Sequence, residues 1–250
     1  MRRPVVSSTF YEGGKTALAA QVAELLSALP CSTPRSAIGA IIPHAGYAFS
    51  GRVAGSVYAR LEVPNTVVIL APNHTGIGHP AAVGMNGPWS VPTGSVPVDR
   101  ALAEALLVAC PDLACDNTAH AEDHAIEVHL PFLLARNPSV RMVPVCLRVA
   151  PFGQCLKFAQ ALAAVVSAWP EPVLIVASSD MNHHEPQNVA MRKDRMALDR
   201  VLGLDAHGLF TVVVEHHVSM CGFVPAVVLI QAARAMGATR ANLVAYATSA

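Results

Sequence analysis

The chain has 250 residues, with 53% hydrophobic and only 14% charged side chains, and its 17 basic and 17 acidic residues cancel. A zero net charge leaves no long-range field to gather nucleic acid or an acidic membrane surface, and there is no basic block or RNA-binding aromatic motif. No apolar run approaches the roughly 20 residues that span a bilayer, and Met1-Arg2-Arg3-Pro4 leads into no apolar signal core, so the expectation is a cytoplasmic chain with no nucleic-acid or membrane partner.

Residues 1–13 read as extended, and Gly13-Gly14 breaks the chain before a helix over about 15–29. That helix carries Leu18, Val22, Leu25, Leu26 and Leu29 on one face and stops at Pro30. A strand over 37–42, a helix over 51–61 with Val53, Val57, Tyr58 and Leu61, and a strand over 66–71 follow. Residues 80–97 are rich in Gly and Pro and read as a strand and then a long surface loop around Trp89. Asp99 is placed to cap a helix over 100–109. The next helix is expected over 121–136, with Pro131 kinking it or marking a new start.

A strand over 140–147, a helix over 154–168 and a strand over 172–178 continue the alternation. Helices over 187–202 and 222–236 and a last strand over 242–247 complete it, with Pro225 tolerable in a first turn. Alternating strands and helices imply an α/β fold: a single domain over 1–250, its mostly parallel or mixed sheet covered by helices on both faces. The cysteines Cys31, Cys110, Cys115, Cys146, Cys155 and Cys221 form no CxxC pair, and disulfides are not expected.

Four apolar runs end at chemically active residues. The run over 38–43 meets His44, that over 67–73 meets His74, and that over 173–179 meets Asp180, His183 and His184. Val212-Val213-Val214 precedes Glu215, His216 and His217, and soon Cys221-Gly222. Short apolar runs bounded by turns read as buried strands. Ligands of α/β sheets bind beyond the carboxyl ends of strands. The first three groups are therefore expected along one sheet edge.

Imidazoles at successive strand ends need only point at one centre to share a metal, although a turn histidine otherwise satisfies only local hydrogen bonds. His79 is expected in solvent. Asp180 and His183 sit three apart, a carboxylate and an imidazole able to move protons together; helix capping with a surface histidine is the alternative, and spacing does not separate His183 from His184. Cys221 stands at a helix start, where unpaired N–H groups favour thiolate; an inert buried thiol is the alternative. His124 and Glu127, three apart on the expected helix, line a site, orient ligands, or form an exposed polar stripe.

Taken together, Pro43-His44-Ala45-Gly46-Tyr47, Pro72-Asn73-His74, Trp89-Ser90, His124-Ala125-Ile126-Glu127-Val128, Ser178-Ser179-Asp180, Cys221-Gly222 and Tyr246-Ala247-Thr248-Ser249 resemble the Memo family, also called protein B of the AmmeMemoRadiSam system. The resemblance runs nearly end to end. It implies the fold of the catalytic subunit of class III extradiol non-haem iron dioxygenases, with a cysteine in place of the carboxylate ligand. It further implies His44, His74 and Cys221 as metal ligands, with His183 as acid/base and Asp180 beside it in the pocket. Iron (Fe2+) is the expected metal, and copper or zinc also suits this donor set.

Three functions follow. The first is a metal-dependent, dioxygenase-like oxidoreductase acting on an organic substrate. The second is a non-catalytic module that holds a peptide or small molecule in the same cleft, with radical-SAM and AMMECR1-like proteins as partners implied by the family name. The third is a cysteine hydrolase using Cys221, His183 and Asp180.

Overall fold

The computed structural model describes residues 1–28 and 33–248. Leu29, Pro30, Cys31 and Ser249, named above in the first helix, the cysteine set and the C-terminal motif, lie outside the described residues. In chain order the elements are α1 (Lys15–Leu26), β1 (Gly39–Ile42), α2 (Tyr47–Arg60), β2 (Thr66–Pro72), β3 (Ala81–Val83), β4 (Trp89–Val91), β5 (Gly94–Val96) and α3 (Arg100–Ala109). They continue with β6 (Ala114–Cys115), α4 (Leu130–Arg136), β7 (Arg141–Leu147), α5 (Phe152–Ser167), β8 (Val173–Ser178), α6 (Gln187–Leu202), α7 (Ala206–Glu215) and α8 (Phe223–Ala235).

The main sheet has the order β1-β8-β2-β7-β3-β6. The first four of these strands run parallel, β3 runs antiparallel to β7, and β6 is parallel to β3. Strand alternation divides the interior between two faces. Val67, Ile69 and Ala71 of β2 point with Leu174 and Val176 of β8 toward α1, α2 and α4. Val68 and Leu70 point with Ile175 and Ala177 toward the face covered by α3, α5, α7 and α8. Every residue of β2 is buried, as expected for a parallel strand covered on both sides. The fold is the α/β layering with a mixed sheet that the alternation predicted.

Local chemistry explains most element boundaries. Asp99 accepts the Leu102 N–H at 3.1 Å and caps α3 as predicted. Pro131 lies in the first turn of α4, so it marks a new helix rather than a kink. α8 is buried nearly all round, between the sheet and helices α5 and α7, which accounts for its apolar sequence.

Five expectations need correction. α1 ends at Leu26, where the Ser27 N–H turns back to the Ala23 and Glu24 carbonyls, before any proline acts. α2 begins at Tyr47 rather than 51, because the Gly46 carbonyl accepts from Ser50 N and Tyr47 N is taken by the Phe10 carbonyl. The loop around Trp89 is a hairpin: Trp89 faces Val96 and Val91 faces Gly94, and Trp89 is buried. Val212-Val213-Val214 belongs to helix α7, which buries Leu209, Val212 and Val213 on one face and is capped by Asp205. Residues 242–247 form no strand; the tail instead runs by α6, where Tyr246 Oη donates to Asp194 at 2.7 Å.

Candidate metal centre

Because β1, β8 and β2 are parallel neighbours, the turns that follow them meet at one edge. His44 follows β1, Asp180 and His183 follow β8, and His74 follows β2. Cys221 stands just before α8. One donor atom from each of His44, His74 and Cys221 lies within 4.8 Å of the others. Asp180, His183 and Cys221 form a second such trio, and His74, Asp123 and His124 a third. The three share members and make one cluster.

The orientation of His44 follows from hydrogen-bond accounting. The Ser178 hydroxyl donates to the Ala125 carbonyl at 2.7 Å, since a carbonyl only accepts. The two ring nitrogens beside that hydroxyl oxygen must then donate to it. These are His44 Nδ1 at 2.7 Å and His129 Nε2 at 2.9 Å. With Nδ1 committed to Ser178, His44 turns Nε2 toward Cys221 Sγ at 3.3 Å. Sγ meanwhile accepts the Asp180 N–H at 3.3 Å. Two electron-pair donors held face to face need a cation between them, a proton or a metal ion.

His74 is supported in the same way. Asp123 Oδ2 accepts the His74 backbone N–H at 2.7 Å and lies 3.4 Å from ring Nδ1. A carboxylate behind an imidazole fixes its tautomer and raises its basicity. Burial would lower the His74 pKa, but Asp123 and Cys221 outweigh it and push it up to about 10. The His124 ring stacks on His74 with centroids 4.7 Å apart and planes 7° from parallel. Burial, reinforced by His44 and His74, pushes His124 down to about 4, so it stays neutral.

Burial would also raise the Cys221 thiol, yet the imidazoles of His183, His44 and His74 overcome this and pull it down to about 4. The structure thus parts Cys221 from Cys110, Cys146 and Cys155, whose thiols burial raises. No disulfide occurs among the described residues.

Asp180 holds the His44 turn: its Oδ1 accepts the backbone N–H of His44 at 2.8 Å and of Ala45 at 3.2 Å, and its Oδ2 lies 3.9 Å from His44 Nε2. His183 faces the site, held by its N–H to Ser219 Oγ at 2.7 Å, and hydrogen bonding to Cys221 raises its pKa against burial. His184 is exposed with φ 59°, its ring 5.9 Å from that of His183, and belongs to none of the three donor trios. His79 is exposed as expected.

The His124–Glu127 pairing on one helix face does not occur. Residues 121–126 are turn and coil, and a single 3-10 turn covers Glu127–His129. His124 faces His74 and His44, whereas Glu127 points to the N-terminal arm. Sequence reasoning also gave no specific role to Ser178, His129 or Asp123. Ser178 carried a usable signal, as the last residue of a buried strand just before Asp180.

A family model described as "Memo-like protein" matches residues 2–250. A MEMO1 family protein of Methanopyrus kandleri is 42% identical over 224 residues, covering 88% of this chain and 78% of the relative. MEMO1 family proteins of Methanothermobacter thermautotrophicus and Aquifex aeolicus are 35% and 36% identical, each over 100% of this chain and 94% and 92% of the relative. With the match spanning nearly every residue, and His44, His74 and Cys221 brought together at one sheet edge, the chain belongs to the Memo family.

Proposed function

We propose that the chain holds one non-haem metal ion between His44, His74 and Cys221 and acts as an oxidoreductase, with dioxygenase-like chemistry on an organic substrate. The observation that carries this reading is the convergence of the three donor atoms within 4.8 Å. The orientation of His44 adds to it, since Nδ1 is held by Ser178 and Nε2 faces Cys221 Sγ at 3.3 Å. Two imidazoles and a thiolate suit iron(II) or copper and admit zinc.

When bound, iron or copper supplies one-electron redox chemistry at open coordination positions. The chain's own residues do the rest. Ser178 and Asp123 hold the two imidazoles in register. His183, partly exposed, is placed to give or take a proton from a group docked beside Cys221. Asp180 keeps the His44 turn in place through two backbone N–H groups.

The test is a potentiometric titration of the iron- or copper-loaded protein. A reversible one-electron couple that shifts in Cys221→Ser is expected. A site that holds only redox-silent zinc would contradict the reading.

A cysteine hydrolase is supported by the closeness of Asp180, His183 and Cys221. It ranks third, behind the binding cleft, because it leaves His44 and His74, each with its own supporting partner, without a task.

A further inference from the structure

We infer that the cleft beside the metal centre takes a small organic carboxylate with an apolar body, recognised by Arg148. This names a substrate class for the site proposed above and rests on that reading. A cavity of about 340 Å³ opens there, lined by His74, Cys221, the apolar Leu147, Phe223 and Val224, and Arg148.

Arg148 follows β7, the strand next to β2, and so stands at the same sheet edge as His74. Its Nη2 donates to the carbonyls of Gly76 and Gly78, the latter at 2.6 Å. Both acceptors are neutral. Nε is buried without an acceptor, and among the described residues no carboxylate pairs with this guanidinium. Arg2, Arg141, Arg195 and Arg200 each have a carboxylate partner.

A guanidinium does not discharge in a protein. A half-buried one without an anion is under-compensated, and an anion entering the cavity would complete it. One cation without a carboxylate partner calls for one negative charge, and a carboxylate supplies it through a charge-assisted hydrogen bond. The volume is at the small end of the roughly 300–1,000 Å³ usual for small-molecule sites. It suits one ring or a short chain, not a folded peptide. The apolar lining sets the character of the body, and the candidate ligands His74 and Cys221 on the same lining bring it to the metal centre.

The experiment is calorimetric titration of the full chain, metal-free and zinc-loaded, with benzoate and hexanoate beside the neutral benzamide and hexanamide. Zinc itself attracts carboxylates, so the metal-free protein decides the question. The acids are expected to bind about tenfold or more tighter than the amides, the ratio that one charge-assisted hydrogen bond produces. Arg148→Met should erase the preference and Arg148→Lys should keep most of it. Melting curves for both variants establish that the Gly76–Gly78 turn and the fold survive.

Equal binding of acids and amides, or a preference that survives in folded Arg148→Met, would overturn the inference. Zinc stoichiometry is read in parallel. An acid preference in a chain that retains no metal sinks the metal reading alone, and metal retention without an acid preference sinks this inference alone.

Discussion

Glu127→Ala is expected to lower the folding free energy by about 3–5 kcal/mol, the loss typical of breaking a buried ion pair from one side. The Glu127 carboxylate is fully buried, and its ion pair with Arg2 Nη1 spans 2.6 Å. It also accepts the N–H groups of Val5 and Val6 at 2.9 and 3.1 Å and the Tyr11 hydroxyl at 2.7 Å. Removing it strands all four donors. Arg2 meanwhile holds the carbonyls of His120 and Asp123 at 2.8 and 2.6 Å and stacks on Trp89 at 4.1 Å. The N-terminal arm is therefore clamped onto the segment that carries Asp123 and His124. Urea unfolding measures the loss, and Glu127→Gln, which keeps the shape without the charge, should fall between. A cost below about 1 kcal/mol in Glu127→Ala would show a surface-like interaction and contradict the clamp.

Gly222→Ala should be the most damaging small substitution near the site. A Cβ there would overlap the Ser178 carbonyl and the Ser179 side chain. The Gly222 backbone, at φ −99° and ψ 30°, does not require glycine, so the penalty is one of contact alone. Relief requires α8 to move off β8, and Cys221 would move with it. Overpacking of this kind costs about 1–3 kcal/mol. Gly153→Ala is the control: near the start of α5 its Cβ would meet nothing within 4 Å, so a neutral effect or a gain of about 0.5–1 kcal/mol is expected. Thermal unfolding of the two variants, with metal retention measured alongside, checks the contrast. Equal behaviour of the two would remove close helix–strand approach as the reason for Cys221-Gly222.

His44, His74 and Asp180 were legible in the sequence because each ends an apolar run, and buried parallel strands advertise themselves as such runs. That those strands are neighbours came only from the fold, yet any arrangement with one common edge would gather them. Cys221 was legible through its dipeptide with glycine, although the close approach behind that glycine was not. Segments without periodicity misled. Residues 121–126 are polar enough to be a helix surface but are folded by side-chain bonds, such as Asp123 Oδ1 to Ala125 N at 2.8 Å.

The Glu127 role rests on donors more than 100 residues away in sequence, which no local pattern encodes. The valine run of α7 shows that β-branched content alone does not decide a short apolar stretch. Leu209, Val212 and Val213 recur at helical spacing, and the Asp205 cap precedes them. The C-terminal stretch 242–247 had strand-like residues but found its partners on α6 through Tyr246 and Asp194.

The central claim is that His44, His74 and Cys221 together hold one metal ion. Elemental analysis of anaerobically purified and reconstituted protein, beside folded His44→Ala, His74→Ala and Cys221→Ala, tests it most directly. The account predicts close to one iron or copper per chain in the parent protein and loss in each variant. A parent chain that takes up no metal, or variants that retain it unchanged, would contradict it.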